Sequence, residues 1–181
     1  MKALLIVDLQ NDFCPGGALG VKDGHKIVPV INELARQFEL VIASRDWHPE
    51  ETVHFEKWPV HCVANTEGAA FHPGLSLRPV QQVFDKGTTN ADDGYSAFEA
   101  TNLDLAAYLK ERKVDEIYLC GLTTEYCVKS TAFDALRAGF KTFLYTDAIA
   151  PVNLTPGDAE KALNDMQDAG VIFLTSKISL R

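Results

Sequence analysis

The sequence predicts a doubly wound α/β domain with a six-stranded, mainly parallel sheet and helices on both faces. Two observations carry this expectation. Short unbroken apolar runs of strand length alternate with segments of helical periodicity, and parallel neighbours need right-handed crossovers between them. The chain has 181 residues, 46% of them hydrophobic, and a single domain of this size buries roughly 70% of the surface its unfolded chain exposes, without disulfide or metal staples. Residues 1–181 are therefore read as one domain.

Lys2 to Val7 is a run of Leu, Ile and Val without polar alternation, as in a strand buried on both faces. Ile27, Ile31, Leu34, Ala35 and Phe38 follow at helical spacing, and Leu40 to Ala43 completes a first β-α-β unit. Val80 to Phe84 is a weaker strand interrupted by Gln81 and Gln82, and Leu105 and Leu109 mark a helix starting near Asn102. Ile117 to Cys120 is the fourth strand. From Thr124, Val128, Ala132, Ala135 and Leu136 recur at i, i+4, i+7 and i+8, and Gly139 stands where a helix-ending glycine belongs. Lys141 to Tyr145 is the fifth strand. The last helix is expected to have Thr155 as N-cap, Pro156 at its first position, Asp158 three residues after the cap and Gly170 at its end. Val171 to Leu174 closes the sheet. Between Ser44 and Pro79 no periodicity persists, and segments of that length without regular structure are usually functional.

The formal charge is −8, from 17 Lys and Arg against 25 Asp and Glu, with no basic cluster. Nucleic acid and anionic membrane surfaces are thereby disfavoured as partners. The first apolar run is cut by Asp8, far short of a signal-peptide core or the ~20 residues of a membrane span. A cytoplasmic location is expected. Cys14, Cys62, Cys120 and Cys127 form no C-x-x-C pair, so they read as free thiols in a reducing compartment. The oligomeric state is left open, a homo-oligomer included.

In open α/β sheets, ligands bind beyond the carboxyl ends of the strands. The polar residues there are Asp8, Asp46, Lys86 and, shortly after the fourth strand, Cys127. Each has an ordinary alternative: a turn-capping aspartate, a solvated lysine, a buried apolar cysteine. Together they make a cysteine hydrolase set of thiol nucleophile, carboxylate proton acceptor and cation. Cys127 lies in the first turn of a helix, where the N–H groups favour a thiolate and can hold an oxyanion, and a nearby ammonium should lower the thiol pKa further.

The histidines give a second set. Of five, four (His48, His54, His61 and His72) fall between residues 48 and 72. Asp46 and His48 are close enough to share one metal ion, with His61 arriving from the far side of the loop. Two imidazoles and a carboxylate leave positions open, as catalytic metal sites do. Segment 44–79 is thus a candidate metal-binding loop. Phe13, Trp47, Trp58 and Tyr95 are core residues or the walls of a pocket for a flat aromatic ligand. The Pro15 to Gly20 stretch has neither G-x-G-x-x-G nor a P-loop lysine, and reads as a mobile loop over the site.

These residues fall into a familiar set of motifs. LLIVDLQNDF from Leu4 to Phe13, Asp46-Trp47-His48-Pro49, Trp58-Pro59-Val60-His61-Cys62, Phe84-Asp85-Lys86-Gly87 and GLTTEYCVKSTAFDALRAG from Gly121 to Gly139 resemble the nicotinamidase/pyrazinamidase branch of the isochorismatase-like cysteine hydrolases. The likeness spans nearly the whole chain. The D-x-H followed by W-P-x-H-C is the part particular to that branch. The resemblance implies Asp8, Lys86 and Cys127 as catalytic triad, and Asp46, His48 and His61 as ligands of one divalent metal (zinc, iron or manganese), with His54 as a fourth ligand in some members. It implies a cis peptide between Leu122 and Thr123, with the N–H groups of Thr123 and Cys127 as oxyanion hole. Phe13, Trp58, Tyr95 and Leu122 match the substrate pocket, and His72 is left structural. No organic cofactor is implied. The implied small-molecule substrate is nicotinamide, hydrolysed through a thioester to nicotinate and ammonia in NAD salvage, with pyrazinamide as a second substrate. Alternatives are an isochorismatase, a carbamoyl-amine amidohydrolase or a non-catalytic metal-binding domain. Seven residues, Thr88 to Gly94, separate Lys86-Gly87 from Tyr95, a longer loop than in some relatives.

Overall fold

The computed structural model describes residues 1–177, so the last four residues of the expected 1–181 domain lie outside the described residues. Six strands, β1 (Lys2–Val7), β2 (Leu40–Asp46), β3 (Val80–Lys86), β4 (Glu116–Leu122), β5 (Lys141–Ala150) and β6 (Ile172–Leu174), form one sheet in the order β3-β2-β1-β4-β5-β6. Every neighbouring pair is parallel. Four helices, α1 (Val28–Ala35), α2 (Leu105–Glu111), α3 (Lys129–Arg137) and α4 (Asp158–Asp168), cover it.

The period-two geometry of a strand splits β1 between two cores. Leu4 and Ile6 face α1 together with Ile31 and Leu34, whereas Ala3, Leu5 and Val7 face Leu109, Ala132, Ala135 and Met166 of the other three helices. All five of these strand residues are fully buried, which is why the run shows no polar alternation. β3 and β6 are the edges, and the exposed edge of β3 explains Gln81 and Gln82.

Several expected boundaries shift. β2, β3 and β5 run past their apolar stretches to Asp46, Lys86 and Ala150, because the ladder continues through polar residues wherever a neighbouring strand satisfies the backbone. α1 ends before Phe38, which packs edge-on against Tyr118 at 5.0 Å. α2 begins at Leu105, capped by Asp104, whose side chain accepts from the Ala107 N–H at 2.9 Å. Asn102 instead pairs with the free edge of β3, accepting from the Asp85 N–H and donating to the Val83 carbonyl. Thr155 is not the cap of α4. Gly157, at φ +95°, turns the chain into the helix two residues later, and the Asp158 carboxylate accepts from the Thr155 N–H at 2.9 Å. Between residues 44 and 79 the only helical piece is a short 3₁₀ turn, Val53–Glu56.

All four cysteines are buried free thiols. Among the described residues no helix is long and apolar enough to cross a membrane.

Candidate active site

β1 pairs with β2 on one side and β4 on the other, so the connections leave in opposite directions and open a crevice beyond the ends of these strands. Asp8 is the first residue beyond β1, and Asp46 and Lys86 are the last residues of β2 and β3, paired in register. Cys127 lies in a π-helical turn, Thr124–Val128, that leads from β4 into α3. Gly121, at φ +115°, is required where β4 crosses β1, since a Cβ there would come within 2.0 Å of the Val7 carbonyl oxygen.

The four side chains converge. The Lys86 ammonium, wholly buried, lies 2.7 Å from Asp8 Oδ2, pairs with Asp46 Oδ1, donates to the Gly94 carbonyl at 2.6 Å and reaches Cys127 Sγ at 3.4 Å. Asp8 takes φ +46°, a left-handed conformation that aspartate tolerates better than most residues, and its Oδ1 accepts from Ser44 Oγ at 2.7 Å. Oxygens of Asp8 and Asp46 and the Cys127 sulfur all lie within 4.8 Å of one another.

This geometry sets the proton affinities. Burial raises the Asp8 carboxyl, and the opposing pull of Lys86 does not bring it back to the ordinary range. For Asp46, burial also raises, but Lys86 and the adjacent His48 and His61 outweigh it and hold the group well below the usual carboxylate range. Burial would lower Lys86, yet Asp46, Asp8 and Cys127 keep it firmly an ammonium. For Cys127 the expectation of a lowered pKa is corrected. Lys86 pulls down as anticipated, but burial, with Asp8 and Asp46 alongside, holds the thiol well above its ordinary value. Cys127 therefore rests as a thiol, and a base is needed to ionise it.

The Leu122–Thr123 peptide is cis. The Tyr126 and Val128 N–H groups both turn back onto the Thr123 carbonyl, each at 3.2 Å. Among the described residues the Thr123 N–H has no hydrogen-bond acceptor. Thr123 and Cys127 line one and the same pocket.

Beside the carboxylate Asp46 stand three buried imidazoles, His48, His54 and His61, each with a ring nitrogen within 4.8 Å of the others'. His48 and His61 direct Nε2 toward Asp46 Oδ2, at 3.6 and 3.7 Å. Each ring has its Nδ1 bonded elsewhere: His48 to the Gly87 carbonyl (2.8 Å), His54 to Asp92 Oδ1 (3.1 Å) and His61 to the Pro59 carbonyl (2.7 Å). With Nδ1 as donor, the Nε2 lone pairs are free, and His48 Nε2 is buried with no hydrogen-bond partner. Burial, then the adjacent His48 and His61, lower the His54 pKa and favour the neutral ring. An orphaned buried nitrogen, three converging imidazoles and one carboxylate fit a divalent cation. Gly87, at φ +65°, permits this packing, because a Cβ there would lie 2.4 Å from His48 Cε1.

One pocket joins the two clusters. Cys127 and Thr123 line it together with Asp46, His54 and His61, and Phe13, Trp58, Tyr95 and Tyr126 form aromatic walls. Trp58 Nε1 donates to the Tyr95 hydroxyl at 3.0 Å and meets Tyr126 edge-on at 5.0 Å. Leu122 departs from the expected pocket set: it is fully buried in the apolar core and is not a lining residue. Trp47 stacks beneath the Arg45 guanidinium, and His72 serves its own loop, accepting from the Gly74 N–H.

Sequence reasoning missed several contributors. Leu19 and Val152 line the pocket from distant loops with no motif to mark them, although Leu19 belongs to the stretch read as a covering loop. Gln10, fully buried, donates to the Asp46 and Ala69 carbonyls and accepts from the Asp46 N–H, all at 2.8 Å, locking the backbone that presents Asp46. An uncharged polar residue two positions beyond Asp8 was the available signal.

Fold and site together define an α/β domain that sets a buried thiol, two carboxylates and an ammonium beside a cluster of candidate metal ligands. The isochorismatase domain family matches residues 2–178, and the chain belongs to that family. A nicotinamidase of Escherichia coli (strain K12) is 40% identical over 203 aligned residues, covering 96% of this chain and 94% of that one. A nicotinamidase/pyrazinamidase of Mycobacterium tuberculosis (strain ATCC 25618 / H37Rv) is 37% identical, covering 97% of this chain and 100% of its own. The pyrazinamidase of Pyrococcus horikoshii, solved in complex with zinc, superposes with a TM-score of 0.88 at 43% identity, covering 96% of this chain and 98% of that one.

Proposed function

We propose that this protein is a nicotinamidase, an amidohydrolase that converts nicotinamide to nicotinate and ammonia and also accepts pyrazinamide. The observation that carries this reading is the single aromatic-walled pocket lined at once by Cys127 and by Asp46, His54 and His61. A flat ring fits between aromatic walls, with its carboxamide at the sulfur. An isochorismatase or a carbamoyl-amine hydrolase has no need of the histidine cluster in that pocket. A store of metal without catalysis has no need of Asp8 and Lys86 beside the thiol.

In the reaction, Asp8 accepts the Cys127 proton as the sulfur attacks the carboxamide carbon; its raised pKa suits a group that both takes and returns a proton. Lys86 steadies the negative charge shared among sulfur and carboxylates, and the Thr123 and Cys127 N–H groups receive the oxyanion. Asp8 then protonates the departing ammonia, leaving the nicotinoyl thioester on Cys127. Water, with Asp8 again as base, cleaves the thioester and releases nicotinate. Asp46, His48 and His61, with His54 as fourth ligand, would hold one divalent cation, and its Lewis acidity would serve to orient the ring and polarise water. Zinc, iron and manganese all suit these donors, and the zinc-bound relative favours zinc. The catalytic unit is the one domain, with the metal loop at 44–79, and its reduced thiols suit the cytoplasm.

Asp8→Asn should lower kcat by at least ~10²-fold, the ordinary worth of a positioned acid–base group. A variant retaining most activity would return Asp8 to a turn-capping role. Exhaustive chelation should remove nicotinamide hydrolysis, with recovery on adding zinc; full turnover by metal-free protein would contradict the metal reading.

A further inference from the structure

The loop from Thr88 to Gly94 does more than join Lys86 to Tyr95. It docks onto the segment that carries His54. Thr52 Oγ1 donates to the Thr89 carbonyl at 3.3 Å, and the Val53 N–H donates to Asn90 Oδ1 at 2.8 Å. Asp92 then makes the decisive contacts: Oδ1 accepts from His54 Nδ1 at 3.1 Å and from the Tyr95 hydroxyl at 2.9 Å, while Oδ2 pairs with Lys57. His48 and His61 are oriented by backbone carbonyls, Gly87 and Pro59. His54 alone of the three has a carboxylate behind it.

We propose that Asp92 is a positioning residue for the metal centre, holding His54 in the tautomer and orientation that make Nε2 a fourth ligand. The carboxylate fixes the proton on Nδ1 and raises the donor strength of Nε2, as carboxylate partners of metal-bound histidine do. The ring is held from its other side as well, stacked on His48 with centroids 4.6 Å apart and an interplanar angle of 21°. Through the Tyr95 hydroxyl, which accepts from Trp58 Nε1, the same carboxylate ties the ligand set to the aromatic wall of the pocket. The loop thus has a use: it delivers an acid to a ligand that the strands themselves do not orient.

This inference rests on the metal reading above, and wild-type protein tests that reading separately. Zinc affinity of the purified protein, measured by competition with a chromophoric chelator, should fall ~10 to 100-fold in Asp92→Ala. Asp92→Asn keeps an acceptor oxygen for the imidazole N–H and should bind zinc more tightly than the alanine variant. In a His54→Ala background the Asp92 substitution should cost nothing further, because its effect passes through that ring. With cobalt(II) in place of zinc, the visible absorption of Asp92→Ala should match that of His54→Ala. Wild-type zinc affinity in Asp92→Ala, or a full additional loss on top of His54→Ala, would overturn the proposal while leaving the metal site standing. Absence of zinc binding by the wild type would overturn both. Should Asp92→Ala fail to fold, Asp92→Ser, whose shorter side chain cannot reach the imidazole, carries the same comparisons.

Discussion

Cys127→Ala should release no measurable ammonia from nicotinamide, a fall of at least ~10⁴-fold in kcat, because no other group in the pocket can form the acyl bond. The fold should survive. Alanine leaves only a small gap where Cys127 borders the pocket and the apolar layer, and a sulfhydryl-sized cavity costs about 1 kcal/mol. Circular dichroism and a melting curve close to wild type, with activity gone, would separate chemistry from packing. Retained activity would mean that the cysteine is simply a buried apolar residue. A second readout is direct: wild-type enzyme quenched during turnover should carry a nicotinoyl adduct on the peptide containing Cys127, absent from the variant.

Lys86→Met should damage both activity and stability. The ammonium is wholly buried between Asp8 and Asp46, so its removal leaves two carboxylates facing each other without compensation. Breaking a buried ion pair from one side costs about 3 to 5 kcal/mol. Urea unfolding should show that loss as a lower midpoint with an unchanged slope. Loss of the positive charge also removes the one influence drawing the Cys127 thiol downward, so its alkylation by iodoacetamide should require higher pH than in wild type. An unaltered midpoint together with an unaltered alkylation profile would make Lys86 a spectator.

The sheet was largely legible because burial on both faces writes itself as uninterrupted Leu, Ile and Val, as in β1. The positions of Asp8, Asp46, Lys86 and Cys127 were legible for a topological reason: the ends of parallel strands converge, so residues far apart in sequence meet at one edge. What was hidden depends on long-range packing. No local pattern links Asp92 to His54, or Gln10 to the Asp46 backbone, since each pair meets only once the loops have docked. Leu122 was misassigned to the pocket because a motif marks a position without saying which way its side chain goes. The expected depression of the Cys127 pKa failed for another reason. The helix terminus and the ammonium were visible in the sequence, but complete burial and two carboxylates within 4.8 Å are properties of the folded site alone. The same burial is the reason the proposed mechanism gives Asp8 the role of base.

The most direct measurement is ammonia release from nicotinamide by the purified, reduced protein supplied with zinc. The mechanism predicts catalytic production of ammonia and nicotinate in equal amounts, abolished by Cys127→Ala. No ammonia under metal-replete, reducing conditions would contradict it.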